Sequence, residues 1–216
     1  MNDANTPSTS TPPPIFPKHD PATPAFWDAR FDADFTPWDQ GGVPQSLVRY
    51  VAQNPAPKTV LIPGCGAGHE VRFFAGAGWG VTAIDFSPAA VARAKQLLGT
   101  LGDRVREEDF FGPVFGRERV TVIYERAFLC ALPKQRWSAW AARVAELISP
   151  GGRLIGFFFF DVSESVTGKG PPFGIGPAAL DALLSPHFER IDDHAPTDSI
   201  PVFSGKERWQ VWQRRG

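Results

Sequence analysis

Residues 59–70 read Thr-Val-Leu-Ile-Pro-Gly-Cys-Gly-Ala-Gly-His-Glu, an apolar run that enters a glycine cluster and leaves into a helix-compatible segment. This is a strand, a tight turn and a helix start. Glycines at 64, 66 and 68 carry no Cβ to hold a ligand away from the backbone, and they accept the positive φ angles such a turn needs. A second apolar strand, Val81-Thr82-Ala83-Ile84, ends in Asp85, where nucleotide-binding α/β units place a carboxylate on ribose hydroxyls. The pair of features predicts a site for an adenosine-containing cofactor.

The spacing selects among such cofactors. Dinucleotide enzymes use G-x-G-x-x-G and turn a helix N-terminus toward the diphosphate. Here the spacing is G-x-G-x-G, followed by His69 and Glu70. A carboxylate in the first helical turn repels a diphosphate but suits a ligand that carries an ammonium and a sulfonium, as S-adenosylmethionine does.

The run from Val60 to Lys95 resembles motifs I and II of class I S-adenosylmethionine-dependent methyltransferases. Upstream, Thr36-Pro37-Trp38-Asp39-Gln40-Gly41 gives a P-W-D-Q-G element, and further on come Tyr124-Glu125-Arg126-Ala127-Phe128-Leu129-Cys130-Ala131-Leu132 and Gly170-Pro171-Pro172-Phe173. Together these are similar to the thiopurine methyltransferase superfamily, nearest its thiol, thiocyanate and halide methyltransferase branch, over everything from about Phe26 onward. The resemblance implies a Rossmann-like fold and methyl transfer from S-adenosylmethionine, with S-adenosylhomocysteine as product. It implies a small-molecule acceptor that is a soft nucleophile: a thiol, thiocyanate, sulfide or halide, with thiopurine or selenium and tellurium species as the near alternative. A nicotinamide-dependent oxidoreductase and a non-catalytic S-adenosylmethionine-binding module are the remoter readings.

Charge and cysteine usage narrow the partners. A formal net charge of −1 and a pI near 6.4 give no electrostatic basis for nucleic-acid binding, which needs clustered Lys and Arg. The cysteines, Cys65 and Cys130, lack C-x-x-C spacing, and no His cluster has metal-ligand spacing, so free thiols and no metal are expected. The first residues lack a basic and apolar signal pattern, and no apolar run is long enough to span a bilayer. A cytoplasmic protein, with nothing in the sequence demanding more than a monomer, is the expectation.

Along the chain, residues 1–24 are dominated by Pro, Thr, Ser, Asn and Asp and read as a flexible leader. Residues 25–216 then form one domain, whose 25–56 portion brings Phe26, Trp27, Phe31, Phe35 and Trp38 as an aromatic cap or lid. Alternating strands and helices predict an α/β fold with a doubly wound, seven-stranded, mostly parallel sheet and an antiparallel C-terminal hairpin. Strands are expected at 59–63, 80–85, 104–108, 119–124, 153–160, 188–194 and 207–213. Helices are expected at 45–52, 69–77, 88–98, 134–147 and 177–184. Ser149-Pro150-Gly151-Gly152 reads as a breaker before the fifth strand, and 168–176 as a Gly/Pro loop.

The cofactor-binding candidates are Trp27, Trp38, Gly64, Cys65, Gly66, Glu70, Asp85, Phe86, Asp109, Phe110 and Glu125. Asp85 has helix capping as its rival role. Asp109 and Phe110 fall where the resemblance places contacts to the adenine amine and ring, against a plain surface turn. Glu125 departs from the aspartate usual in the family, and a surface ion pair with Arg126 competes with a cofactor contact. His69 reads as a helix-start residue near the methionine portion rather than as a base. No residue is assigned to chemistry, and Trp27, Arg126 and Phe173 are positioning candidates. Trp27 and Trp38 compete with ordinary core packing, and Phe173 stands where the branch commonly carries tyrosine.

Overall fold

The computed structural model describes residues 14–56, 58–113, 119–163 and 170–216. Residues 1–13 of the expected leader and 168–169 of the expected Gly/Pro loop lie outside these. Seven strands form one sheet: β1 (Thr59–Pro63), β2 (Gly80–Asp85), β3 (Val105–Glu107), β4 (Val120–Arg126), β5 (Ile148–Phe159), β6 (Phe188–His194) and β7 (Glu207–Arg214). Their order is β3-β2-β1-β4-β5-β7-β6. Strands β1 to β5 pair in parallel, while β7 runs antiparallel to both β5 and β6. This is the expected doubly wound sheet with its antiparallel hairpin.

Helices cover both faces because neighbouring strand residues point to opposite sides. Val60 and Ile62 of β1 pack in one core with α2 (Gln45–Gln53), α3 (His69–Gly76) and α4 (Pro88–Leu98). Leu61 packs in the other with α5 (Trp137–Leu147) and α6 (Pro177–Leu184). Trp140 of α5 and Trp209 of β7 are among the largest fully buried side chains, one on each face. The remaining helix, α1 (Pro24–Asp32), packs on α4, and among the described residues no helix is long and apolar enough to cross a membrane.

The helix expected from 134 begins at Trp137 and the strand expected at 104–108 spans Val105–Glu107, while the two largest boundary differences, at β5 and β4, share one reason. The breaker 149–152 does not separate α5 from β5: the strand starts at Ile148, directly after the helix. Val120 pairs with Ile148 and Val122 with Arg153, so the extra residues are looped out of the ladder as an irregularity. Likewise β4 continues through Glu125 and Arg126, which pair with Gly156 and Phe157. Ladder hydrogen bonds override local turn chemistry in both places.

At the outer edge β6 pairs with β7 on one side alone. Its pairing shifts between Arg190 and Asp192, and residues 189–193 are exposed. On the opposite edge β3 is three residues long. Strand order reverses at β1, so a crevice opens where the carboxyl ends of β1 and β4 diverge, the usual ligand position in such sheets.

Candidate active site

The floor of that crevice is the glycine turn. After Pro63 the chain passes through positive φ at Gly64 (+58°), Gly66 (+51°) and Gly68 (+73°), and α3 begins at His69. The Cys65 N–H donates to the Ile84 carbonyl at 3.0 Å, which fastens the turn to the end of β2. Phe128, from the loop after β4, lies so close over Gly64 that an added Cβ would sit 2.5 Å from its ring. Gly64 therefore requires glycine for two independent reasons, backbone conformation and contact.

Glu70 follows in the first turn of α3 and is buried. Its Oε1 accepts from Arg126 at 3.2 Å and from the Tyr124 hydroxyl at 3.3 Å. Tyr124 and Arg126 sit two apart on β4 and so share a face, which turns both toward α3. Burial is the largest influence on Arg126 and opposes its charge, yet nearby Tyr124 and Glu70 outweigh it and hold the guanidinium above its ordinary pKa.

Asp85 ends β2 with both oxygens held: Gly66 N–H donates to Oδ2 at 3.1 Å and Ser87 N–H to Oδ1 at 3.0 Å. Burial pushes its pKa up to about 6, against the pull of these N–H groups, and Asp28 adds to the rise. Asp28 comes from α1. Its Oδ1 accepts from Ser87 Oγ at 2.5 Å and from Ala89 N–H at 3.2 Å, while Ser87 Oγ caps α4 through Ala90 N–H. A continuous set of hydrogen bonds thus runs from the glycine turn through Asp85 to α1.

Beyond β3, Asp109 is exposed and its Oδ1 accepts from Phe111 N–H at 2.9 Å, forming a tight turn. Arg143 of α5 donates to the carbonyls of Phe110 (3.3 Å) and Gly112 (2.8 Å), which holds that turn against the sheet. Phe110 is buried and meets Phe128 edge-on at 5.2 Å between ring centroids.

The roof is aromatic. Trp38 meets Trp27 and Phe31 in near-perpendicular contacts, at 5.6 and 6.1 Å. Trp27 Nε1 donates to the Pro21 carbonyl, and Phe16 packs against Phe35 and Arg30. Asp39 Oδ1 meets His69 Nε2 at 2.8 Å, tying the roof to the start of α3. That bond raises the His69 pKa despite partial burial and lowers that of Asp39.

Floor, walls and roof enclose a cavity of about 420 Å³. The structure brings Trp27, Trp38, Gly64, Cys65, Gly66 and Glu70 to its surface, together with Asp85, Phe86, Asp109, Phe110 and Arg126. It does not bring Glu125 or Phe173 there: both line a smaller cavity beneath. Since β4 runs on past Tyr124, its period-two alternation points Glu125 away from the face shared by Tyr124 and Arg126. Phe173 is tied instead to the post-β4 loop, its N–H donating to the Cys130 carbonyl at 2.6 Å. Tyr124, Phe128, Asp28 and Arg143 were not singled out from sequence. The first two lie in the recognisable run after residue 123, whereas Asp28 and Arg143 act from distant helices and leave no local signal.

An adenosine-bearing sulfonium donor fits these residues on two observations. A Cβ at Gly66 would meet no atom nearer than 3.6 Å, so the turn lies open to the cavity. Glu108, which also lines the cavity, has a buried Oε2 with no partner among the described residues, an acceptor available to a ligand N–H or O–H.

A family model for thiopurine S-methyltransferase matches residues 22–215. Among curated proteins, thiocyanate methyltransferase 1 of Arabidopsis thaliana is 29% identical over 196 residues, covering 87% of this chain and 84% of that one. Thiopurine S-methyltransferase of Vibrio cholerae serotype O1 is 28% identical over 181 residues, with 74% and 80% covered. Among solved structures, the 1,6-didemethyltoxoflavin-N1-methyltransferase of Burkholderia thailandensis, bound to 1,6-didemethyltoxoflavin and S-adenosylhomocysteine, matches with a TM-score of 0.71 at 19% identity, covering 94% of each chain. Magnesium protoporphyrin IX methyltransferase of Synechocystis PCC 6803, with S-adenosylhomocysteine bound, matches at 0.66 and 19%, covering 85% and 93%. These two show the shared fold. With the family model spanning nearly the whole described chain, this protein belongs to the thiopurine S-methyltransferase family.

Proposed function

We propose that this methyltransferase moves a methyl group from S-adenosylmethionine to a small soft nucleophile, a thiol or a related sulfur species, by in-line displacement. The observation that carries the donor assignment is Glu70, a buried carboxylate in the first turn of α3 where a dinucleotide enzyme would present bare N–H groups to a diphosphate. When bound, the donor supplies a methyl group on a cationic sulfur that is open to attack from the far side. Asp85 would accept from its ribose hydroxyls, Glu70 would face its ammonium, and Phe86 and Phe110 would flank its base. The aromatic roof would lie against the cation, an attraction worth about 0.5–2 kcal/mol.

The chain's contribution is position and dryness. Trp27, Phe35, Pro171, Pro172 and Phe203 give the acceptor side apolar walls that exclude water. Holding nucleophile and methyl carbon in line supplies several kcal/mol of the barrier reduction. The names of the relatives support sulfur acceptors, and the free thiols of Cys65 and Cys130 accord with a reducing compartment such as the cytoplasm. Release of S-adenosylhomocysteine would be measured against iodide, thiocyanate, sulfide, an aryl thiol, a thiopurine and selenite. Turnover with one or more sulfur acceptors is expected, and no release above the acceptor-free background with any of them would sink the reading.

A further inference from the structure

Tyr124, on β4, is only 1% exposed, yet it lines the main cavity beside Glu70 and Arg126. Burial and an edge-on contact with Phe74 of α3, 5.8 Å between ring centroids, hold its ring in one place. Its hydroxyl donates to Glu70 Oε1 at 3.3 Å, and Arg126 Nη1 donates to that same oxygen at 3.2 Å. Among the described residues Glu70 Oε2 receives no donor. Burial, with the Glu70 carboxylate beside it, pushes the phenol well above its ordinary pKa, so the hydroxyl keeps the proton it donates.

A glutamate carries its carboxylate at the end of a flexible stem whose last torsion is broad, so a single partner does not settle which way the second oxygen looks. Left to themselves, a guanidinium and a carboxylate favour a fork in which both oxygens are used. Here a second donor competes for Oε1, and the ion pair is made through one oxygen alone. The two donors differ in what else they bring to the cavity. Arg126 adds a positive charge, which opposes an incoming ammonium. The Tyr124 hydroxyl adds none.

We propose, resting on the donor assignment above, that Tyr124 is a positioning residue: its hydroxyl holds Glu70 Oε1 so that Oε2 stays open for the ammonium of the donor. Tyr124 touches no reacting atom in this role and acts only through Glu70. Without the hydroxyl, the carboxylate is free to rotate into the two-oxygen pairing with Arg126. The ammonium would then have to displace a guanidinium N–H instead of meeting an oxygen already vacant.

The test measures, by calorimetry, binding of S-adenosylhomocysteine and of its deamino analogue, the same thioether with hydrogen in place of the amino group. At about pH 7 that amino group is protonated. The full-length protein should prefer the ligand that carries it. In Tyr124→Phe, affinity for S-adenosylhomocysteine is expected to fall about tenfold, while affinity for the deamino analogue changes less than about twofold. Equal losses for both ligands, or no loss, overturn the proposal and leave the methyl-transfer reading standing. An unmodified protein that binds the two ligands alike overturns it as well. Failure of the unmodified protein to bind S-adenosylhomocysteine removes the donor assignment and the proposal with it. Should the variant not fold, the unmodified chain decides. Its tyrosines are Tyr50 and Tyr124, so fluorotyrosine labelling gives two fluorine resonances, assigned with Tyr50→Phe. The Tyr124 resonance should move further with S-adenosylhomocysteine than with the deamino analogue, while that of Tyr50, which bonds Arg153 outside the cavity, stays in place. A Tyr124 resonance that responds alike to both ligands overturns the idea.

Discussion

Asp85 shows how one side chain ties the site to pH. Its folded pKa of about 6 belongs to a carboxyl held by two backbone N–H groups in a buried crevice. Ribose hydroxyls donating to it would favour the ionised form, so donor binding near pH 5.5 should release a proton. Affinity for S-adenosylhomocysteine should fall by about tenfold between pH 7.5 and pH 5, as Asp85 becomes protonated in the free protein. Calorimetric titration in buffers of different ionisation enthalpy measures both, and an affinity flat across that range would count against Asp85 as the ribose contact. Asp85→Asn should weaken binding by about 10–100-fold at pH 7.5 and flatten this dependence. Asp85 was legible because it ends an apolar strand one β-α-β unit after the glycine turn. Glu125 was not, because its direction depends on β4 continuing two residues beyond the apolar run, which is decided by pairing with β5.

Among the elements, α1 has the least sequence signal and the most connections to the site. Its aromatic residues were readable as a cap, but the side chain that fastens it is Asp28, an ordinary-looking acid that reaches the N-terminus of α4. Removing it in Asp28→Ala takes a carboxylate from that helix start and a partner from Ser87, costing about 1 kcal/mol. Because Ser87 N–H also holds Asp85, affinity for S-adenosylhomocysteine should drop about fivefold, while helix content by circular dichroism is retained. Donor affinity equal to that of the unmodified protein would show that α1 and Asp85 are independent. The sheet order and hairpin were readable from alternating apolar runs and helices, whereas the 149–152 segment misled because Pro and Gly signal a turn without revealing that a strand can carry the excess as a bulge.

Across the whole molecule, Asp85 and Glu125 each hold a carboxyl above its ordinary range, which fixes the sign of their own contribution to the pH dependence of stability. A raised folded pKa means the native state binds the proton more tightly than the unfolded chain. These residues therefore cost nothing below about pH 4, and their penalty develops as pH rises toward 7. For Glu125 that penalty approaches about 3 kcal/mol at pH 8. Glu125→Gln should accordingly melt several degrees higher than the unmodified protein at pH 8, with the difference shrinking toward pH 5. Scanning calorimetry at both values checks this, and a variant less stable at pH 8 would show that the carboxylate's hydrogen bonds outweigh its burial. The margins of the sheet carry a different consequence. With β3 cut to a single short pairing and β6 kinked and studded with Glu189, Asp192 and Asp193, neither border offers a straight, neutral ladder for a neighbouring chain to extend. Crowded copies are thereby steered away from stacking strand upon strand.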